Sequence, residues 1–168
     1  MKLVAKDITI IAMMIAIIEV CKIVLANVPN IELTSFFIII FTLYMGKRIL
    51  VVIPAFILIE GLMFGFSIWW VMYLYVWPIL VLLTYIFRKM KSAVSFSILS
   101  GVFGLMFGFL CSWVYIFLDI KNGTSMAFAW WISGIPWDIV HGIGNFFIML
   151  VLYHPITHVM KKLRMEKM

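Results

Sequence analysis

Charged side chains are scarce in this chain. Only 12% of its 168 residues are Asp, Glu, Lys or Arg, whereas 66% are hydrophobic, and the mean hydropathy is +1.20. A soluble domain of this size needs far more charge to cover its surface. The scarcity therefore excludes an ordinary soluble fold and indicates an integral membrane protein.

Sequence motifs for cofactor binding and hydrolysis are also missing. The sequence has neither a GxxxxGK[ST] phosphate-binding loop nor an HExxH metal motif. Its two cysteines, Cys21 and Cys111, lie in apolar runs without a CxxC spacing, which predicts buried free thiols. No repeat or low-complexity tract is visible. We therefore expect a single domain over residues 1–168 that binds no cofactor and no metal.

Six apolar spans can be drawn, each close to the roughly 20 residues that a bilayer requires. The second span is short, and the fourth begins almost where the third ends, which favours a compact bundle with tight turns. The prediction is an all-α integral membrane protein with six transmembrane helices. The spans are residues 8–26, 32–45, 49–66, 69–87, 93–118 and 136–153.

Positive residues are concentrated in alternate connections between the spans. Because Lys and Arg are enriched in cytoplasmic loops, both termini are predicted to be cytoplasmic. This distribution also explains the net charge of +6 without a nucleic-acid partner. The residues on the predicted cytoplasmic side are Lys2, Lys6, Lys47, Arg48, Arg88, Lys89, Lys91, Lys161, Lys162, Arg164 and Lys167.

The segment 130–145 is the most polar part of the sixth span. Pro136 suits the first position of a helix, and Asp138 would then lie in the first turn, at the positive end of the helix dipole. Steps of three and four residues place Asp138, His141 and Asn145 on one helical stripe. Because such groups are costly against lipid, we expect this stripe to face the protein interior or a cavity.

Glu60 lies eleven residues beyond the start of the third span, about 16 Å along a helix. A carboxylate at that depth is a functional hypothesis by default. It either contacts a ligand, pairs with Lys22 or accepts hydrogen bonds from Tyr or Ser hydroxyls. Lys22 has its own neighbour, because Glu19 is three residues away and can form an ion pair along the first helix; contact of these two residues with a ligand is the alternative.

The connections on the non-cytoplasmic side carry further candidates. Asn30 is predicted to cap the second helix, with Glu32 in its first turn. Trp69 and Trp70 stand at the membrane boundary, where tryptophan is common in any case. Residues 119–135, which include Trp131, are predicted to form the longest outer loop and the best candidate for a lid.

Small residues predict close helix contacts at two places. Ala12 and Ala16 form an AxxxA spacing in the first span, and Gly101, Gly104 and Gly108 form a smooth face on the fifth.

Together with the six spans and the AxxxA spacing, three short phrases carry a resemblance to a known family. They are PNIEL at residues 29–33, EGL at 60–62 and PWDIVHGIGN at 136–145. Over essentially its whole length the chain resembles the substrate-binding S components of energy-coupling-factor (ECF) vitamin transporters, which lie in the bacterial cell membrane.

The resemblance implies a function and a set of partners. Ala12 and Ala16 would dock on a membrane coupling subunit that sits on two ATPases, and the chain itself would not be an enzyme. A water-soluble vitamin would bind near the outer surface. The residues in that zone are Glu60, Trp69, Trp70, Trp131, Asp138, His141 and Asn145. Acidic residues outnumber bases there, which favours a neutral or cationic ligand.

Two other functions remain open at this point. Asp138, His141 and Glu60 could serve an intramembrane enzyme as acid–base or metal-binding groups. A stand-alone channel or carrier is the second alternative, although a channel needs polar residues across the whole membrane depth. Here the polar residues crowd toward one side, which suits a cup better than a pore.

Overall fold

The computed structural model describes residues 4–165, with side chains up to Lys162. Six α-helices and one turn of 3-10 helix, Gly46–Arg48, make up most of these residues, and no strand occurs among them. Lys2, Lys167 and the side chain of Arg164, which contribute to the predicted topology, lie outside the described part. The helices are α1 (Ala5–Val24), α2 (Thr34–Met45), α3 (Ile49–Phe64), α4 (Ile68–Ile86), α5 (Ala93–Leu118) and α6 (Gly123–Met165).

Four helical stretches are long and apolar enough to cross a membrane: Thr34–Phe64, Ile68–Ile86, Ala93–Leu118 and Gly123–Lys162. The all-helical membrane class is therefore supported, whereas six separate spans and cytoplasmic termini stay predictions. The 20 residues of α1 include four charged side chains. The 12 residues of α2 extend only about 18 Å at 1.5 Å per residue.

Two ion pairs define the relative directions of α1 and α3. Arg48 at the start of α3 contacts Asp7 near the start of α1, with 2.6 Å between Nη2 and Oδ1. Lys22 near the end of α1 pairs with Glu60 near the end of α3. The two helices are therefore parallel, and the stretch Thr34–Phe64 is a hairpin that turns at Gly46–Arg48. Gly46 has a φ of 58°, which favours glycine.

The ends of the bundle differ in chemistry. The end that holds the start of α1, the Gly46–Arg48 turn and the connection 87–92 is here named the basic end, and the opposite one the site end. The Trp70 indole, near the start of α4, bonds the Ile57 carbonyl in α3, so these two helices are antiparallel. The Tyr75 hydroxyl in the first half of α4 donates to the Leu110 carbonyl in the second half of α5, so the start of α4 lies beside the end of α5.

Helix α2 is the centre of the bundle. It contacts each of the other five helices, and none of its twelve side chains is exposed. Its sequence, TSFFIIIFTLYM, is apolar on all sides, and a helix of that kind is expected to be buried. The remaining helices carry exposed apolar side chains such as Leu62, Leu82 and Phe117 on their outer faces, which is compatible with a surrounding lipid phase.

Helices α5 and α6 are antiparallel along most of α5. The Trp131 ring meets Phe109 near one end, and the Tyr153 ring meets Phe96 near the other, with centroids 5.1 and 5.5 Å apart. Between them the backbones approach closely, since a Cβ at Gly104 would lie 2.9 Å from Gly142 Cα. The predicted glycine face for helix packing is therefore confirmed.

The predicted start of the last helix is wrong. Helix α6 begins at Gly123, thirteen residues before Pro136, and only residues 119–122 connect it to α5. The Asp119 carboxylate accepts the backbone N–H groups of Lys121 and Asn122 in this turn, and these bonds lower the pKa of Asp119. Residues 123–135 are therefore helix rather than a lid loop, and Asp138 lies well inside α6 rather than in its first turn.

Pro136 lies inside α6, where proline lacks an N–H and costs about 3 kcal/mol. Its side chain points to an exposed face, while the opposite face of the helix packs along α5. Packing of this kind outweighs local propensity in most protein helices. Tertiary contact with α5 thus explains why the proline does not begin the helix.

We expect Gly104→Ala to destabilise the protein, because the added methyl group would overlap the α6 backbone at Gly142. Overpacking of this kind costs about 1–3 kcal/mol, which should lower the midpoint of thermal unfolding in detergent by several degrees. Gly134→Ala is the matched control, since nothing lies within 4 Å of a Cβ there. Equal effects of the two substitutions would contradict the close contact.

Candidate functional site

The buried Asp, Glu and His side chains of the described residues lie between mid-height of the bundle and the site end. Glu19, Glu60, Asp138 and His141 are exposed by 7% or less, and Glu32 accompanies them at 18% side-chain exposure. Burial of unpaired charge is expensive, so each group needs a partner or a function. They form two groups, here named the Lys22 cavity and the His141 cluster.

The Lys22 cavity lies between the ends of α1, α3 and the start of α4. Its volume is about 350 Å³, which is within the range of small-molecule sites. Charged, aromatic and aliphatic side chains share its wall. The lining residues are Lys22, Ile23, Ala26, Glu60, Phe64, Trp69 and Tyr73.

Lys22 is the central group of this cavity. Its ammonium pairs with Glu60 Oε2 and lies 3.4 Å from the Tyr73 hydroxyl oxygen. The predicted pair between Glu60 and Lys22 is therefore present, while ligand contact by Glu60 stays a prediction. The predicted ion pair between Glu19 and Lys22 is wrong, because the lysine reaches across to α3 instead. Both Glu19 oxygens and Glu60 Oε1 are buried without a hydrogen-bond partner among the described residues.

The His141 cluster joins α6 to α5 and to the segment before α2. His141 Nε2 lies 3.1 Å from Glu32 Oε1, and its ring meets Phe107 edge to face at 4.9 Å. Asp138 Oδ1 accepts the Gly108 N–H at 2.9 Å. Asp138 Oδ2 and Asn145 Nδ2 are buried without a partner in the described part of the chain. The contacts of His141 and Asp138 thus link α6 to its neighbours, while one carboxylate oxygen and one amide nitrogen remain able to form hydrogen bonds.

Glu32 rather than Asn30 accepts a hydrogen bond from a free backbone N–H group in the first turn of α2. The Glu32 carboxylate accepts the Ser35 N–H at 2.9 Å, whereas Asn30 has a φ of 58° and Leu33 occupies the N-cap position. The predicted Asn30 cap is therefore wrong.

The predicted site residues divide between several environments. Asp138, His141 and Asn145 are buried on one stripe of α6, so the predicted inward-facing stripe is confirmed. Glu60 and Trp69 line the Lys22 cavity.

Two of the predicted tryptophans make packing contacts and do not line the Lys22 cavity. The Trp70 indole N–H donates to the Ile57 carbonyl at 2.8 Å. Trp131 packs on Phe109 between α5 and α6. Their role in ligand binding stays a prediction.

Lys22, Tyr73 and Glu32 belong to the site although none was among the predicted binding residues. A signal for Lys22 exists in the sequence, because it is a lone lysine within an apolar span. Tyr73 resembled an ordinary interfacial aromatic residue, and Glu32 resembled a helix-start residue. Local explanations of this kind hide contacts that only the tertiary fold creates.

A chain of aromatic rings connects the two groups. Tyr73 in the cavity wall meets Trp77 at 5.3 Å, and Trp77 meets Phe107 at 5.6 Å, which in turn contacts His141. The Trp77 indole N–H is buried without a partner among the described residues. The cavity near the site end and the cluster at mid-height of α5 are therefore neighbouring parts of one site.

Among the described residues, no group of three or more His, Cys, Asp or Glu side chains could hold a metal ion. Comparison with protein-family models, with curated proteins and with solved structures finds no match to this chain. The functional argument accordingly depends on the chemistry of the site itself.

Proposed function

We propose that this chain is the membrane-embedded substrate-binding subunit, or S component, of an ECF-type transporter in a bacterial cell membrane. In this proposal the chain spans the membrane six times with both termini in the cytoplasm, and the site end faces outward. The site captures a water-soluble vitamin or a related micronutrient. A membrane coupling subunit and two ATPases then drive its uptake.

The observation that carries this proposal is the uneven distribution of buried Asp, Glu and His side chains along the bundle. Glu19 and Glu60 lie near the site end, and Asp138 and His141 lie at mid-height against α5, whereas Lys6, Lys47 and Arg48 mark the basic end. Because positive residues mark the cytoplasmic side, the site would open to the outside. A receptor for an external solute requires that orientation.

The lining of the Lys22 cavity is suited to a small polar ligand that contains a ring. Trp69 and Tyr73 offer aromatic faces, and Lys22 and Glu60 offer charged groups in the same 350 Å³ space. Small-molecule sites combine an apolar wall with a few such polar groups. The neighbouring His141 cluster adds further hydrogen-bonding groups that a larger ligand could reach.

The opposite half of the bundle supports a cup rather than a pore. Thr84 and Ser97 are buried toward the basic end, but each hydroxyl donates to a carbonyl of its own helix, Leu80 and Ala93, at 2.8 Å. Ser100 is buried in the same half, and its hydroxyl has no partner among the described residues. Three hydroxyls without a buried charge form a sparse polar lining, whereas a channel needs polar groups throughout its length. A subunit of this kind needs partners for transport.

The surface of α1 supports a docking role for its small residues. Ala12 and Ala16 are both exposed on the face of α1 that points away from the core. Small side chains at that spacing allow a second helix to approach closely. This face is available to a coupling subunit in the membrane.

The test is a titration of intrinsic tryptophan fluorescence with a panel of water-soluble vitamins and their precursors. We expect one compound to quench the fluorescence in a saturable way. If the ligand binds in the Lys22 cavity, the quenching should be reduced in Trp69→Phe, because Trp69 lines that cavity. Glu60→Gln and Asp138→Asn should each weaken binding at least tenfold if they contact it, about 1.4 kcal/mol. Absence of binding by every compound would contradict the proposed function.

We expect Ala12→Trp to abolish association with the coupling subunit while ligand affinity stays unchanged, because the bulky ring would keep the two helices apart. Co-purification with the coupling subunit and the ATPases measures the first property, and the fluorescence titration measures the second. Val151→Trp is the control, since Val151 is an exposed residue on α6. Equal loss from both variants, or loss of ligand binding in Ala12→Trp, would count against the docking face.

A further inference from the structure

We propose that the Lys22 cavity is built to bind an organic cation, and that the Lys22 ammonium occupies this cation site until the ligand replaces it. The ligand would carry an ammonium group or a positively charged aromatic ring. This inference rests on the proposed function, because it names the chemical class of the transported compound.

Aromatic rings surround the position of the ammonium. Tyr73 lies closest, with 4.9 Å between Lys22 Nζ and the ring centroid, and the rings of Phe64, Phe56 and Trp69 follow at 5.7, 5.9 and 6.0 Å. A cation within about 6 Å of an aromatic face is attracted to it, and cages of such rings recognise organic cations. Four rings around one ammonium therefore define a cation site.

Two carboxyl groups, those of Glu60 and Glu19, lie beside the one Lys22 ammonium. Glu60 is completely buried; its Oε2 pairs with Lys22, and its Oε1 has no partner among the described residues. If the Lys22 ammonium leaves, the Glu60 carboxylate needs another positive partner. A ligand with hydrogen-bond donors and a positive charge supplies one, and an anion would be repelled.

Lys22 is placed so that it can leave. It lies in the last turn of α1, at the end of the bundle that carries the site, and 27% of its side chain is exposed. A long lysine stem can remain against apolar surface while its ammonium moves into water. The incoming cation would then take over Glu60 and the four rings, so that the buried carboxylate is never left unpaired.

The test compares Lys22→Met with the wild type in binding to matched probes at pH 8. Pyridoxamine and pyridoxine differ by an ammonium in place of a hydroxyl, thiamin carries a cationic ring, and pantothenate is an anion. Methionine keeps the length of the side chain and removes the competing charge. We expect the tightest binder to be a cation, and its affinity to rise at least threefold in Lys22→Met.

Two further variants separate charge from folding. Lys121→Met removes an exposed lysine outside the cavity and should leave affinity unchanged. Trp69→Leu removes one wall of the cation site without altering charge, and should weaken the cationic probe more than its neutral counterpart. Thermal unfolding of each variant reports whether it is folded.

The outcomes distinguish this inference from the proposed function. If a neutral or anionic compound binds most tightly, or if Lys22→Met weakens or does not change binding of the cation, the cation site is overturned while vitamin capture stands. If neither the wild type nor Lys22→Met binds any compound of the vitamin panel, both proposals are contradicted.

Discussion

The ion pair between Lys22 and Glu60 is the interaction on which the arrangement of the site end depends. A charge left unpaired in an apolar interior is costly, so the pair with Glu60 holds the end of α1 against α3. Together with the Asp7–Arg48 pair at the basic end, this contact makes the two helices parallel. It also turns Ala12 and Ala16 toward the outside of the bundle.

Much of the site could be predicted from helical periodicity and the cost of burial. The spacing of Asp138, His141 and Asn145 places them on one stripe whatever the position of the helix start, and the structure buries all three. The depth of Glu60 in an apolar run was sufficient to single it out. The burial of these residues could be predicted because it follows from local geometry and from the large cost of exposing polar groups to lipid, neither of which requires knowledge of the fold.

Two wrong predictions, the start of α6 at Pro136 and the Glu19–Lys22 ion pair, failed because contacts between helices decided the outcome. Pro136 is a valid signal for a helix start, but packing against α5 extends α6 back to Gly123. Glu19 is a valid partner for Lys22 by spacing, but Glu60 is nearer in three dimensions. In both cases a tertiary contact outweighed a local preference of a few kcal/mol or less. Sequence spacing alone carries no information about which helix lies alongside.

The shortness of α2 has a consequence for main-chain chemistry. Its first turn starts at Thr34, about 18 Å above the Gly46 turn, so the irregular segment 25–33 must descend beside α6 to reach it, and Ile31 lies against Gly144. Irregular backbone at such depth is tolerated only within protein or beside water. Segment 25–33 therefore has to lie against protein, and Gly144 leaves the space on α6 that the Ile31 side chain occupies.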